Sequence, residues 1–238
     1  MKKGWAIAIS IIFSLLLGTH IILSIVISVG LDKDIYRNAQ VKDEIYSYAG
    51  LSQESLDKAT ETLIDYMNDD RDNLDEWNID NNNFEYFNAR EKAHMVDVKE
   101  LFGLAKRINF AIFLILIIIL VFYLVFDKKG MFSYFFKYSL VTLVVTLGLM
   151  AVSSIVIMID FTRFWTFFHE IFFRNDLWLL NPKTDLLIRM MPERFFVRMV
   201  IQILLRFGIS YASVLAVLFT THKLLNRSGN IDRERGVR

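Results

Sequence analysis

Charged and apolar residues are sorted along this chain into long blocks. No Lys, Arg, Asp or Glu occurs from Gly4 to Leu31, from Ile108 to Phe126 or from Tyr138 to Ile159, and Met199 to Thr221 is broken only by Arg206. A bilayer core of ~30 Å needs about 20 helical residues at ~1.5 Å rise each. The shortest run, from Ile108 to Phe126, reaches across with its flanks. In a stretch such as FAIFLILIIILVFYLVF the apolar residues cover every face of a helix, which suits lipid on most sides better than water. The pattern predicts an all-α, polytopic integral membrane protein with four transmembrane helices.

The first run follows Lys2 and Lys3 and ends near the small residues Ser28, Val29 and Gly30, as a cleaved signal peptide does. Its apolar stretch far exceeds the ~7 to 15 residues of a signal core, so it is expected to stay as an anchor. Orientation follows from Lys and Arg density. The N-terminus, the 127–137 loop and the tail from residue 222 together hold ten of these residues, as many as the far longer 30–107 segment, which also carries eighteen acidic ones for a net charge of −8. Only 161–198 runs against the trend, with six basic residues and four acidic. The expected layout is a cytoplasmic N-terminus with the first span (1–29), an acidic, helical extracytoplasmic domain (30–107), the second span (108–126), a cytoplasmic loop (127–137), the third span (138–160), an extracytoplasmic interfacial segment (161–198), the fourth span (199–221) and a basic cytoplasmic tail (222–238).

Composition adds limits to this layout. A chain with 54% hydrophobic and 22% charged residues is too apolar for a soluble domain unless the two classes are segregated. The net charge of +1 is a near-cancellation of opposite faces and gives no reason to expect nucleic acid. Cysteine is absent, which excludes disulfides, thiolate metal sites and a Cys nucleophile. Chemistry is left to His, carboxylates and hydroxyls.

Between the first two spans, Leu56, Ala59, Leu63 and Met67 recur at helical spacing behind Ser52, so 51–68 reads as an amphipathic helix with Ser52 as N-cap. The run DDRDNLDEWNIDNNNF favours turns and reads as a loop, since it lacks the spacing of a calcium-binding EF-hand. A further helix is expected from about Ala89 toward the second span, with Glu91, His94, Val98, Leu101 and Ala105 at steps of three and four. It puts His94 and Asp97 on one face, where a carboxylate fixes an imidazole tautomer, although such a pair is also common on a solvated surface.

The 161–198 segment is dense in Phe and Trp beside a predicted boundary, as interfacial aromatic belts are, and Trp165, Phe168, Phe172 and Phe173 read as an interfacial helix. His169 lies inside that run, as an anchor or as a catalyst. Asn181-Pro182 marks a turn and Pro192 suits the start of the last helix. His20 and Arg206 lie within spans, where burial is costly and a partner is usual. Arg206 shares a stripe with Arg198 and Gln202. Two readings stand for it, an ion pair with Asp160 or another outer carboxylate, and contact with a substrate.

The sequences KAHMVDVKELF at 92–102 and FHEIFFRNDLWLLNPKTDLLIRMMPERFF at 168–196, within a four-span layout, resemble the lipoprotein intramolecular transacylase (Lit) family of Gram-positive bacteria. The resemblance implies a cell-membrane acyltransferase whose partners are diacylglyceryl-modified lipoproteins and membrane lipid. Such an enzyme moves the sn-2 acyl chain of the N-terminal cysteine's diacylglyceryl group to that cysteine's α-amino nitrogen, giving a lyso-form lipoprotein. By the same resemblance the functional histidines map to His94 and His169. Asp97 is then expected to orient His94 as general base, with His169 stabilising the oxyanion or protonating the leaving oxygen, or the reverse. Asp176, Trp178 and Asp185 match the longer motif and are expected to shape the site or grip the peptide, and with Arg206 they are the candidates for substrate binding; no cofactor or metal is implied, and the site is expected to face the extracytoplasmic side. Two other classes stay open at this point. One is a membrane lipase or metallohydrolase using the histidines and nearby carboxylates, although no H-E-x-x-H cluster occurs. The other is a non-enzymatic receptor or assembly subunit using the acidic domain. The oligomeric state is not legible.

Overall fold

Lipid offers a backbone no hydrogen-bonding partner, so long apolar runs satisfy their own polar groups as helices. A computed structural model describes residues 3–126 and 128–236 of the chain. Four helices in it are long and apolar enough to cross a membrane: Gly4–Gly30, Ala89–Val125, Ser133–Ile159 and Glu193–Leu224. Among the described residues the helices are α1 (Lys3–Gly30), α2 (Lys33–Lys42), α3 (Ile45–Ala49), α4 (Gln53–Met67), α5 (Ala89–Phe126), α6 (Lys128–Ile159), α7 (Phe161–Phe172), α8 (Leu186–Met190) and α9 (Glu193–Gly236). The extended pairing among these residues is one isolated bridge between Trp77 and Glu85.

Helix α5 has 38 residues, about 57 Å at ~1.5 Å per residue, nearly twice the ~30 Å hydrocarbon thickness. Its charge-free part is 108–126, and all of its charged residues lie within 89–107. Helix α6 begins at Lys128 and α9 runs to Gly236, so most of the expected 127–137 loop and 222–238 tail is helix. Neither stretch contains a proline to interrupt the spanning helix beside it.

The chain divides into two compact units. The first comprises 1–25, 107–152 and 204–238. Its core is aromatic, with Phe13 stacked on Phe135 at 4.0 Å and Tyr123 edge-on to Phe135 at 5.1 Å. Polar groups there bond to one another, as they must in a medium without water. Tyr123 donates to the Ala6 carbonyl at 3.0 Å, Ser14 and Ser139 share a hydrogen bond of 3.2 Å, and Gly18 leaves room for Tyr211 and Thr142. His20 finds its partner in Asn109: Nδ1 donates to the amide oxygen at 2.7 Å, and the amide nitrogen donates to Ser24 at 2.9 Å.

The second unit comprises 26–106 and 153–203. Helix α4 is the expected amphipathic helix. Ser52 caps it, accepting from Ser55 N at 3.1 Å, and Leu56, Ala59, Leu63 and Met67 are all buried. Helix α2 packs on α4, and α3 packs on α8. The Asp- and Asn-rich loop folds on its own side chains, Asn78 Oδ1 accepting from the backbone of Asp80 and Asn81. Lysines of α5 anchor it: Lys92 pairs with Asp75 and Glu85, and Lys99 with Asp69 at 2.8 Å. Asp160 caps α7 by accepting from Arg163 N at 2.9 Å. Arg198 forms a two-point ion pair with Asp43, both contacts at 2.5 Å.

Leu63 is 1% exposed. Leu63→Ala is expected to destabilise the protein by about 2–5 kcal/mol. A clear fall in thermal midpoint in detergent checks this, with the solvent-facing Val41→Ala as an unaffected control.

Candidate functional site

The first turn of an α-helix has N–H groups with no intrahelical acceptor. Asn88 and Glu91 solve this for α5 reciprocally. Asn88 Oδ1 accepts from the backbone N–H of Arg90 and Glu91 at 2.9 and 3.1 Å, and Glu91 Oε2 accepts from Asn88 N at 2.9 Å, a capping box. The second carboxylate oxygen of Glu91 accepts from Leu187 N at 2.6 Å, at the start of α8. Glu91 is 1% exposed, so one buried carboxylate ties two helix starts together.

Further bonds join the same turns of α5 to residues 175–187. Asn88 Nδ2 donates to Asp185 Oδ1 at 2.8 Å, and Asp185 also accepts from Thr184 Oγ1 and Asn181 N, both at 2.7 Å. Arg90 donates through Nη2 to the Asp176 carbonyl. Asn175 donates to Asp97 Oδ2 at 2.8 Å. This clamp holds the segment carrying Trp178 against the helix carrying His94.

The two histidines meet beside it. Their ring centroids are 6.0 Å apart, and both are buried, His94 at 5% and His169 at 3% exposure. Aromatic rings line them: Trp178 stacks on His169 at 4.8 Å, Trp165 lies 4.3 Å from His169, and Phe173 stands edge-on to His94 at 5.2 Å. His169 Nδ1 donates to the Trp165 carbonyl at 2.8 Å, one turn back along α7. Because a carbonyl only accepts, this bond puts the proton on Nδ1 and leaves the Nε2 lone pair open. His94 Nδ1 is buried with no hydrogen-bond partner.

Burial governs the titration of these groups. It pushes His94 down to about 4, assisted by His169 and Arg90 and opposed by Asp97, and it lowers His169 against the bond to Trp165. Burial raises Glu91 to about 7, against the two backbone N–H bonds that favour its charged form. For Asp185 burial acts upward, but its hydrogen bonds from Asn181, Thr184 and Asn88 outweigh it, and the carboxyl is held below the ordinary range.

The expected site residues therefore separate. His94, His169 and Trp178 come together. Asp97 shares the helix face of His94, yet the hydrogen bond of its carboxylate goes to Asn175, so it does not orient the imidazole by direct contact. Asp185 is buried and committed to the clamp. Asp176 is largely exposed and contributes its carbonyl. Arg206 belongs to the other unit. Sequence reasoning missed Asn88 and Arg90, and it took Glu91 only as a position on a helix face. The N-x-x-E spacing before an apolar run was the signal for the cap. Among the described residues no group of three or more His, Asp or Glu converges as metal ligands do.

A family model described as lipoprotein intramolecular transacylase Lit matches residues 8–196. No curated protein sequence matches the chain. Among solved structures, the membrane integral lipoprotein intramolecular transacylase Lit from Bacillus cereus superposes with a TM-score of 0.71 at 20% identity, covering 94% of this chain and 100% of that one. Variants of that protein with one histidine replaced by arginine or alanine both superpose at 0.70, at 20% and 19% identity, covering 94% and 97% of this chain and 96% and 97% of theirs. These likenesses are of fold.

The clamp generates a pH signature. The folded state favours protonated Glu91, so that contribution is complete below the ordinary value of 4.5 and is lost as pH rises through about 7. The folded state favours neutral His94, so that contribution is complete above 6.5 and is lost as pH falls through about 4. Between 4.5 and 6.5 the two trends oppose each other. Thermal midpoints of Glu91→Gln are therefore expected to rise more steeply across that interval than those of the unaltered protein. Parallel curves would show that Glu91 does not titrate there.

Proposed function

The chain belongs to the lipoprotein intramolecular transacylase Lit family, and we propose that His94 and His169 together carry its transfer of the sn-2 acyl chain from glycerol to the α-amino group of the lipoprotein's N-terminal cysteine. The supporting observation is the meeting of two histidines from separate motifs in a buried, aromatic-lined place. Neither a lone histidine on a helix face nor one in an aromatic belt explains that meeting.

The reaction forms a C–N bond at the ester carbonyl and breaks the C–O bond to glycerol. One proton leaves nitrogen and one reaches the glycerol oxygen, so the product is an isomer of the substrate. A free α-amino group has a pKa of roughly 7.7–8.0, so a useful fraction is neutral near pH 7 and attacks without a strong base. A histidine held neutral then takes the proton that becomes acidic as the C–N bond forms. Of the two assignments left open by the sequence, His169 as base fits better: its tautomer is fixed by Trp165 and its Nε2 is free to accept. The same imidazolium returns the proton to the departing glycerol oxygen. His94, with Nδ1 buried and unpartnered, borders the developing oxyanion. No nucleophilic side chain is needed, because amine and ester belong to one substrate and are held together where water is scarce.

The long basic-poor segment is assigned to the extracytoplasmic side, and the exposed Phe167, Ile171 and Phe172 of α7 suit contact with the outer leaflet. Trp178 acts by packing on the His169 ring. Asp176 and Asp185 act through the clamp. For Arg206, on the stripe of the fourth span, an ion pair with an outer carboxylate and contact with the substrate both stand.

His94→Ala and His169→Ala are each expected to lower product formation by about 10²- to 10⁴-fold while leaving the protein in the membrane. Mass spectrometry of a lipopeptide substrate should show unchanged intact mass, with fragmentation placing one acyl group on nitrogen and one on glycerol. Loss of an acyl chain's mass would mean hydrolysis. The rate is expected to rise with pH through the range of the substrate amine and to show no histidine step near 6.5, because burial lowers both imidazoles. A Cys introduced at Asn82 is expected to react with an impermeant reagent on intact cells, and a reporter active only in the cytoplasm should work when fused to the C-terminus. The opposite pattern would overturn the orientation.

A further inference from the structure

Among the described residues two buried side-chain nitrogens have no hydrogen-bond partner, His94 Nδ1 and Arg90 Nε. They lie on α5 at i and i+4, one helical turn apart on the same face. The first belongs to the proposed catalytic pair. The second has no task in the account given so far.

Arg90 is fixed at its far end. Its Nη2 donates to the Asp176 carbonyl and lies 3.8 Å from the Asp176 carboxylate, and the side chain as a whole is 40% exposed. The guanidinium thus keeps one edge toward the surface loop while its Nε–H stays buried. It lies near enough to His94 to help hold that imidazole neutral. A buried donor without an acceptor is destabilising, a cost tolerated when the acceptor belongs to something that binds. The guanidinium is always charged, so the acceptor it favours is an oxygen bearing negative charge.

We infer that Arg90 is a further catalytic residue, whose Nε–H donates to the ester carbonyl oxygen as that oxygen becomes an oxyanion beside His94. The inference rests on the transacylation proposed for the two histidines. As the amine nitrogen attacks, the carbonyl electron pair moves to oxygen, and it returns when the C–O bond to glycerol breaks. A fixed cationic donor in a buried place stabilises that charge without reorganising during the reaction. Anchoring Nη2 to a backbone carbonyl keeps Nε aimed. The inference also explains why an arginine stands here: a lysine carries one donor group and no second, buried N–H like that of Nε.

The test compares Arg90→Lys with the unaltered enzyme in detergent micelles, using a synthetic diacylglyceryl lipopeptide. Lysine keeps the charge and removes Nε–H. The expected result is a fall in kcat of about 10²-fold, the usual consequence of losing one oxyanion donor, with KM and thermal midpoint little changed. Retained kcat, or a loss that follows the folded fraction, would overturn the inference. A measurement on the unaltered protein keeps the test decisive if the variant folds poorly. A lipopeptide with a phosphonate in place of the sn-2 ester mimics the tetrahedral oxyanion, and its binding should shift the Arg90 Nε–H resonance downfield in ¹⁵N-edited NMR. Binding without that shift would refute the assignment. Product formation by the unaltered enzyme, and its loss in His169→Ala, test the underlying reading separately.

Discussion

The site depends on the burial of one carboxylate. Taking Glu91 out of water costs several kcal/mol unless its oxygens are satisfied, and backbone N–H groups at two helix starts satisfy them, Asn88 for α5 and Leu187 for α8. These N–H bonds favour the charged form, and burial still outweighs them, raising Glu91 to about 7. The two helix starts therefore cannot separate without leaving a buried acid unpaired. Asp185 repeats the arrangement, accepting from Asn88, Thr184 and Asn181. His94 stands one turn beyond this clamp, and Trp178 of the clamped segment stacks on His169. The spacing of the imidazoles is thus supported by Asn88, Glu91 and Asp185, none of which has a part in the proposed transfer.

Burial also sets their protonation. The aromatic rings that exclude water disfavour imidazolium, pushing His94 down to about 4 and lowering His169 as well. A weak, neutral base suits an amine that is itself partly neutral near pH 7, and it also returns the proton readily to an alkoxide leaving group. The same exclusion of water favours transfer to nitrogen over hydrolysis. Packing and reactivity here have one cause.

The spanning helices were legible because lipid imposes a pattern no soluble domain needs: charge-free runs of bilayer length. The α4 helix was legible because Leu56, Ala59, Leu63 and Met67 keep one face and Ser52 stands where a cap is needed. The histidines were legible only through the resemblance, since neither His94 on a helix face nor His169 among phenylalanines carries a strong local signal. The hydrogen bond of Asp97 was not legible because i, i+3 spacing allows contact with His94 without requiring it, and Asn175, 78 residues away, takes the bond. The burial of Glu91 and Asp185 was not legible for a related reason. A carboxylate's burial is decided by distant backbone N–H groups, and no local pattern announces them. The partner of His20 was hidden likewise, since Asn109 is 89 residues distant and begins another apolar run.

The central claim is that His94 and His169 hold amine and ester together in one place. A structure of the protein with a lipopeptide whose sn-2 ester is replaced by a non-transferable ether tests it most directly. The account predicts the cysteine nitrogen within hydrogen-bonding reach of His169 Nε2 and the sn-2 oxygen between the two imidazoles, with Trp178 still stacked on His169. A lipopeptide head group bound beyond the reach of both imidazoles would contradict it.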